Sequence, residues 1–354
     1  MRILIDIGHP GHVHLFKNFA KEMQKKGHST LFTCRQKEFE KELLEAEGFR
    51  YKSFGKHHNT KTGKIFGLLK FNLLMLLVAL RFRPNLVLSH GSIYAAHIAW
   101  LIRKPHISME DSGNMEQIKL YRPFTKVMLI PDILPHDFGP KQIKYHANHE
   151  LHYLHPNYFE PSKKIYEYLD IDKNTPYCIM RFVSWKATHD YGHTGFTAEE
   201  KKELINYLSS KMAVFITSEI PLPEEYQKYQ IKIPPEKIHD ALAFSELVVS
   251  EGATIASEAG VLGTPTIYVN SIIRYYNEDQ EKYGLVFNYR NGSKALTKAK
   301  EIVENNYKLN IQKNRKQFLQ DKIDPTAFLI WFIENYPESA KIMKKNPDYQ
   351  YKFK

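Results

Sequence analysis

The sequence predicts an α/β protein of two domains, each a parallel sheet layered with helices. Three observations carry this expectation. The chain has 354 residues, more than one hydrophobic core ordinarily fills. Short apolar runs alternate with stretches of helical spacing, once through the first half and again through the second. Between the two series, over about 148–174, the chain turns polar and aromatic and carries Pro156 and Pro161.

Taken in order, residues 2–7 are an apolar strand running into Gly8. Leu15, Phe19 and Met23 share one face of a helix over 14–26, which Gly27 stops. Residues 30–33 form the next strand, a charged helix ends near Gly48, and 49–53 read as a third strand. A long apolar helix covers 65–81 and is closed by Pro84. Strand 86–89, helix 93–102 and strands 106–109 and 127–130 continue the rhythm. The second series has strands at 177–182, 213–217, 247–250 and 266–269. Its helices lie at 198–209, 235–244, 255–262 and 294–305. A last helix over 326–336 carries Phe328, Trp331 and Phe332 and is expected to pack back on a domain face, with a loose lysine-rich tail after Pro337. Helices of this length between strands imply right-handed βαβ units, hence Rossmann-like sheets. The expected boundaries are 1–155 for the first domain, 156–174 for a linker, 175–322 for the second domain and 323–354 for the C-terminal helix and tail.

Composition narrows the class. With 43% hydrophobic and 25% charged residues the chain is globular. Two unpaired-looking cysteines, Cys34 and Cys178, argue against a disulfide scaffold or zinc ribbon and for a reducing cytoplasm. Met1 leads straight into a strand, without a secretory leader pattern. The formal net charge of +11 implies anionic partners. The lysines are scattered and form no nucleic-acid motif, so nucleotide phosphate and an anionic membrane face are expected rather than nucleic acid. The 65–81 helix, interrupted by Lys70 and Asn72, is too short for a membrane span. It reads as mostly buried core. The second reading is an interfacial patch flanked by Lys61, Lys64, Lys70, Arg81 and Arg83, which would place the protein peripherally at the inner face of the membrane and suit a lipid-linked acceptor.

Two glycine-marked turns carry candidate chemistry. Asp6-Ile7-Gly8-His9-Pro10-Gly11-His12-Val13-His14 joins the first strand to the first helix. Its glycines permit close backbone approach, and the helix start favours an anion or a polarised oxygen; the alternative is a strand–helix turn with polar filler. His9, His12 and His14 have no acidic or cysteine partners at ligand spacing, so no metal is expected. The second turn lies within Ser250–Ile267. Amides of Gly252, Ala253 and Thr254 would point at a diphosphate, and Glu258, one turn on from Thr254, would grip ribose hydroxyls. The plain alternative is an ordinary α/β unit with a chance glutamate.

On these residues the sequence resembles the superfamily of GT-B glycosyltransferases and UDP-N-acetylglucosamine 2-epimerases. More closely it looks like a prokaryotic GT-B-like family catalogued as a domain of unknown function. The Ser250–Ile267 block is similar to the superfamily's nucleotide-sugar loop and helix. Gly11-His12-Val13 resembles the glycine–histidine turn of the lipid-linked N-acetylglucosaminyl transferase, and Pro84-Asn85-Leu86-Val87-Leu88-Ser89-His90-Gly91 the fourth-strand motif of the epimerases. The resemblance implies two Rossmann-like domains across a cleft, the second binding the nucleotide sugar. It assigns Gly252, Ala253 and Thr254 to the diphosphate, Glu258 to the ribose, and Gly11 and His12 to the sugar or acceptor side. Arg181 would neutralise phosphate, with Ser184 in the same loop; for Arg181 a surface salt bridge is the alternative.

The activity so implied is transfer from a nucleotide sugar, UDP-linked, to a lipid-linked or saccharide acceptor in cell-envelope or surface polysaccharide synthesis, without a metal or other cofactor. His12 or Glu110 is the candidate base, histidine for its near-neutral pKa and Glu110 because adjacent Asp111 can raise it. The alternative is a 2-epimerase, hydrolysing or not, with His189 or His193 as its histidine. Against it, Ser92 stands where the epimerases carry an aspartate after His-Gly, and their further glutamate has no counterpart near Tyr121-Arg122-Pro123. A third reading is a nucleotide-sugar binder without turnover.

Overall fold

A computed structural model gives the fold and describes residues 1–56, 61–183, 195–218, 220–305 and 307–354, the side chains of 61–66 excepted. The chain divides into two compact units: Met1–Tyr158 with Lys322–Lys354, and Phe159–Asp321. The first has strands β1 (Arg2–Ile7), β2 (Ser29–Gln36), β3 (Tyr51–Lys56), β4 (Leu86–His90), β5 (His106–Met109), β6 (Val127–Pro131) and β7 (Gln142–Tyr145). Its helices are α1 (Pro10–Lys25), α2 (Glu40–Ala46), α3 (Lys61–Phe82), α4 (Ile93–Leu101), α5 (Met115–Tyr121) and α6 (Leu151–Leu154). The second unit holds α7 (Ile165–Tyr168), β8 (Tyr177–Phe182), α8 (Ala198–Ser209), β9 (Ala213–Ser218), α9 (Ile238–Phe244), β10 (Leu247–Ser250), α10 (Ala253–Leu262), β11 (Thr266–Val269), α11 (Tyr275–Lys282), β12 (Val286–Tyr289), α12 (Ala295–Glu304) and α13 (Lys308–Asp321). The chain then returns to the first unit with α14 (Pro325–Glu334) and α15 (Glu338–Lys345).

Both sheets are parallel, in the orders β3-β2-β1-β4-β5-β6-β7 and β12-β11-β10-β8-β9. Central strands are buried along nearly their whole length, as expected when helices cover both faces. One core of the first unit gathers Leu4, Val87, Phe71, Met75 and Ile98, and the core of the second gathers Met180, Leu204, Ile216, Val249 and Ile267. The prediction missed β7 and β12. Each is a four-residue edge strand, and β12 is buried at Val286 alone. An edge strand with one covered side leaves little periodicity to detect.

The other departures have local causes. Helix α1 opens at Pro10, not at 14: proline suits the first helical position, and the His9 ring caps the helix by accepting the Gly11 N–H at Nδ1 (3.1 Å). The expected linker beyond Phe159 is part of the second unit. Tyr166 packs edge-on against Tyr177, and Ser162 donates its N–H to Asp240 (2.8 Å). Nor is the tail loose. The His146 N–H donates to Gln350 Oε1 (2.6 Å), and Trp331 stacks on Tyr349 with centroids 4.8 Å apart. Helix α14 does pack back, against α1 and α6, with Thr326 donating to the His152 carbonyl (2.9 Å). Helix α3 is only half core: Phe71, Met75 and Ala79 are buried while Leu69, Leu73, Leu77 and Leu80 are more than half exposed. Among the described residues no helix is long and apolar enough to cross a membrane.

Candidate functional site

In the first unit the strand order reverses between β1 and β4, and the carboxyl ends of β1, β4 and β5 gather polar side chains there. The anchor is Asp6, fully buried. It receives both guanidinium nitrogens of Arg35 (2.9 Å each), the Thr33 hydroxyl (2.6 Å) and the Ser92 hydroxyl (2.5 Å). Arg35 also donates to the Ile7 carbonyl (2.9 Å), so β2 holds the strand end from which the Gly8–His12 turn departs. A buried carboxylate needs such a full set of donors. Ser92 has two roles: its oxygen caps α4 by accepting the Ala95 N–H, and its hydroxyl serves Asp6. An aspartate at 92 would set two carboxylates against one another in a buried place.

The three histidines of the first turn do not converge. His9 is exposed, and His14 is buried against the Tyr153 ring. His12 alone faces the cluster, its ring tilted on His90 with centroids 4.5 Å apart. Burial, with the neighbouring His90, holds the His12 pKa well below its ordinary value, so the ring is neutral. The Gly8 N–H donates to His12 Nδ1 (3.3 Å), which places the ring proton on Nε2. As held, His12 offers a hydrogen bond at Nε2. Gly11 sits inside the first turn of α1 with its N–H spent on His9.

Glu110, the other candidate base, is held at several points. It accepts from the Ser112 N–H (2.8 Å), the Ser112 hydroxyl (2.5 Å), the Gly113 N–H (3.2 Å) and the Tyr121 hydroxyl (2.6 Å). Three of these donors meet Oε1 and one meets Oε2, so Glu110 fastens the loop after β5. Asp111 also departs from the expectation that the two acids raise one another. Burial alone would raise its pKa, but His149 and His90 outweigh that and hold it well below the usual range. Its two oxygens meet His90 Nε2 (2.9 Å) and His149 Nδ1 (3.1 Å).

In the second unit the reversal lies between β8 and β10. Arg181, near the end of β8, lies alongside Gly252: a Cβ on that glycine would stand 3.5 Å from Arg181 Cγ. Gly252 is the N-cap of α10, with no side-chain cap. Its own N–H goes to Ser250 Oγ (3.0 Å), so of the three expected amides those of Ala253 and Thr254 are the ones the helix start leaves without acceptors. Glu258 is not an open gripping group. It is buried, with Oε1 3.1 Å from His239 Nε2 on α9. Ser184, His189 and His193 lie outside the described residues. The flanks of that segment are fastened by Glu251, which accepts the Val183 N–H (2.9 Å) and the Phe196 N–H (3.0 Å) and pairs with Lys201 (3.1 Å).

Sequence reasoning missed Asp6, Arg35, His90, His149, His239 and Glu251 as interacting groups, and missed the two histidines as partners of Asp111. The signal was thin: Asp6 and Glu251 each interrupt an apolar strand end, and the histidines lie far apart in the chain.

A family described as Protein of unknown function (DUF354) matches residues 1–338. The chain belongs to DUF354. No curated protein matches it. Solved structures similar to this DUF354 chain include UDP-GlcNAc 2-epimerase from Neisseria meningitidis bound to UDP-GlcNAc, 13% identical with a TM-score of 0.61 over 98% of this chain and 99% of the other. The S. aureus MnaA–UDP co-structure is 14% identical with a TM-score of 0.65 over 96% and 97%. Spinosyn rhamnosyltransferase SpnG is 14% identical with a TM-score of 0.59 over 95% and 100%. At these identities the likeness is one of fold: this DUF354 chain has the GT-B-like architecture of two parallel α/β units.

Proposed function

We propose that the protein binds a nucleotide-activated sugar, UDP-linked, through its second unit and transfers the sugar to an acceptor. The observation that supports this most directly is Arg181 beside Gly252 at the start of α10, where the strand order of the sheet reverses. A departing nucleoside diphosphate accumulates negative charge. Two helix-start amides, the helix dipole and a guanidinium are the groups that stabilise it without a metal at that point. Glu258, set against His239, is the ribose group in this reading, and it would exchange partners on binding. In the first unit the Nε2–H of His12 would hydrogen-bond an oxygen of the sugar or acceptor. Transfer is favoured over 2-epimerisation because Ser92, in the place of the epimerases' aspartate, is committed to Asp6 and to α4.

Calorimetry with a panel of UDP-sugars tests the reading. Binding is expected for at least one, with Arg181→Ala weakening it about 10–100-fold, the range for a lost charge-assisted contact. No binding by any nucleotide sugar would end the proposal. Solvent deuterium entering the sugar at C2 would replace transfer by epimerisation.

A further inference from the structure

His90, Asp111 and His149 come from the end of β4, the loop after β5 and the segment before α6, and the sheet brings them together. Their candidate ligand atoms all lie within 4.8 Å of one another, and among the described residues they are the one such group. Asp111 divides its carboxylate between the two rings, Oδ1 to His90 Nε2 at 2.9 Å and Oδ2 to His149 Nδ1 at 3.1 Å. Donor atoms around an ion bound at about 2.0–2.2 Å stand roughly 3–3.5 Å apart, so the two ring–carboxylate separations already fit, and the widest separation of the set, within 4.8 Å, would have to shorten. His149 is nine-tenths buried and braced by the parallel Tyr145 ring, which restrains its orientation. Asp111 and His90 keep 27% and 13% of their side-chain surface exposed, which leaves one side of the group open.

We propose that His90, Asp111 and His149 form a site for one divalent first-row metal ion of the zinc type. Two neutral imidazoles and one carboxylate are the donor set such ions favour, and three protein ligands with an open side leave a position for water or a substrate oxygen. Here the ion takes the place of the hydrogen bonds that now join the two rings to the carboxylate. The proposal stands whether or not the second unit holds a nucleotide sugar. It also reverses the expectation of no metal, which rested on the local spacing of His9, His12 and His14, none of which is a member of this set.

The full chain, stripped with a chelator, is titrated with Zn²⁺ by calorimetry and with Co²⁺ by visible absorption. One equivalent is expected, with cobalt bands of low-coordinate character. Asp111→Asn and His149→Gln should each weaken binding at least as much as the roughly 10–100-fold loss that follows removal of a supporting partner. His97→Gln, on α4, should bind like the parent and so excludes generic histidine binding. Thermal unfolding of the metal-free variants shows whether they fold. If they do not, the cobalt spectrum of the parent chain decides alone. Absence of cobalt bands, or affinity retained in both folded variants (which would trace to other histidines such as His189 and His193), overturns the proposal.

Discussion

His106 shows how burial sets chemistry at a single residue. It is fully buried, with Nε2 2.9 Å from the Ser89 hydroxyl and Nδ1 2.8 Å from the Thr125 hydroxyl, and burial pulls its pKa from 6.5 down to about 3. Between those values the unfolded chain takes a proton that the folded chain refuses. The ring's contribution is therefore present above about pH 6.5 and is lost as pH falls toward 3, at up to about 1.4 kcal/mol per pH unit. His106→Gln removes this dependence. Urea midpoints at pH 7 and pH 5 should show the gap between parent and variant narrowing at the lower pH, and an unchanged gap would refute the assignment. The same scale shows what a sequence conceals. Glu110 and Asp111 are neighbours in the chain, yet one is held by four hydroxyl and amide donors and the other bridges two histidines. Adjacency carries no information about which donors the fold will supply.

Elements were far more legible, because strand and helix periods are written locally. Thr197 and Glu200 form a reciprocal cap, and α8 spans the residues expected of it. The glycine stop of α10 is equally local in origin, but its cost is tertiary. Gly263 has φ +79, and a Cβ there would stand 2.6 Å from Arg315 Cδ, on the helix whose Arg315 and Gln312 side chains donate to the Val261 and Gly263 carbonyls. Gly27 has φ +82 and open space around it. Gly263→Ala should therefore destabilise by more than the roughly 1–2 kcal/mol of left-handed strain that Gly27→Ala carries alone. Equal shifts in thermal midpoint would show that α13 simply gives way. Helix α3 carries apolar residues on both of its faces. Its inner face is core, and its outer stripe of Leu69, Leu73, Leu77 and Leu80 runs between exposed Lys70, Arg81 and Arg83. We expect the chain to float with anionic vesicles and the pair Leu73→Glu and Leu77→Glu to abolish this. A parent chain that stays in the dense fraction would show that the stripe has no lipid role.

For the whole molecule, two parallel α/β units were readable from two alternating series, whereas the return of 322–354 to the first unit was not. A terminal helix with Phe328 and Phe332 is visibly apolar, but which unit it covers depends on α1 and α6, hundreds of residues earlier. Four fully buried side chains of α14 (Phe328, Leu329, Phe332 and Ile333, all within 1% exposure) represent on the order of 6–12 kcal/mol of transfer free energy as an upper bound. A chain ended at Asp321 should therefore lose cooperative unfolding of its first unit. The piece 159–321, which keeps a complete sheet and core, should fold alone, as circular dichroism and proteolysis would show. If the shortened chain unfolded like the parent, α14 would be an ornament to the first unit.

That return has a consequence for how the protein is made. A ribosome adding about 5–20 residues per second finishes the last strand of the first unit and then spends on the order of ten to thirty seconds synthesising 159–321 before α14 emerges. Throughout that interval the greasy flank of α1 waits uncovered on the nascent chain. The cell must shield it, or tolerate its stickiness, until the returning segment 322–354 arrives.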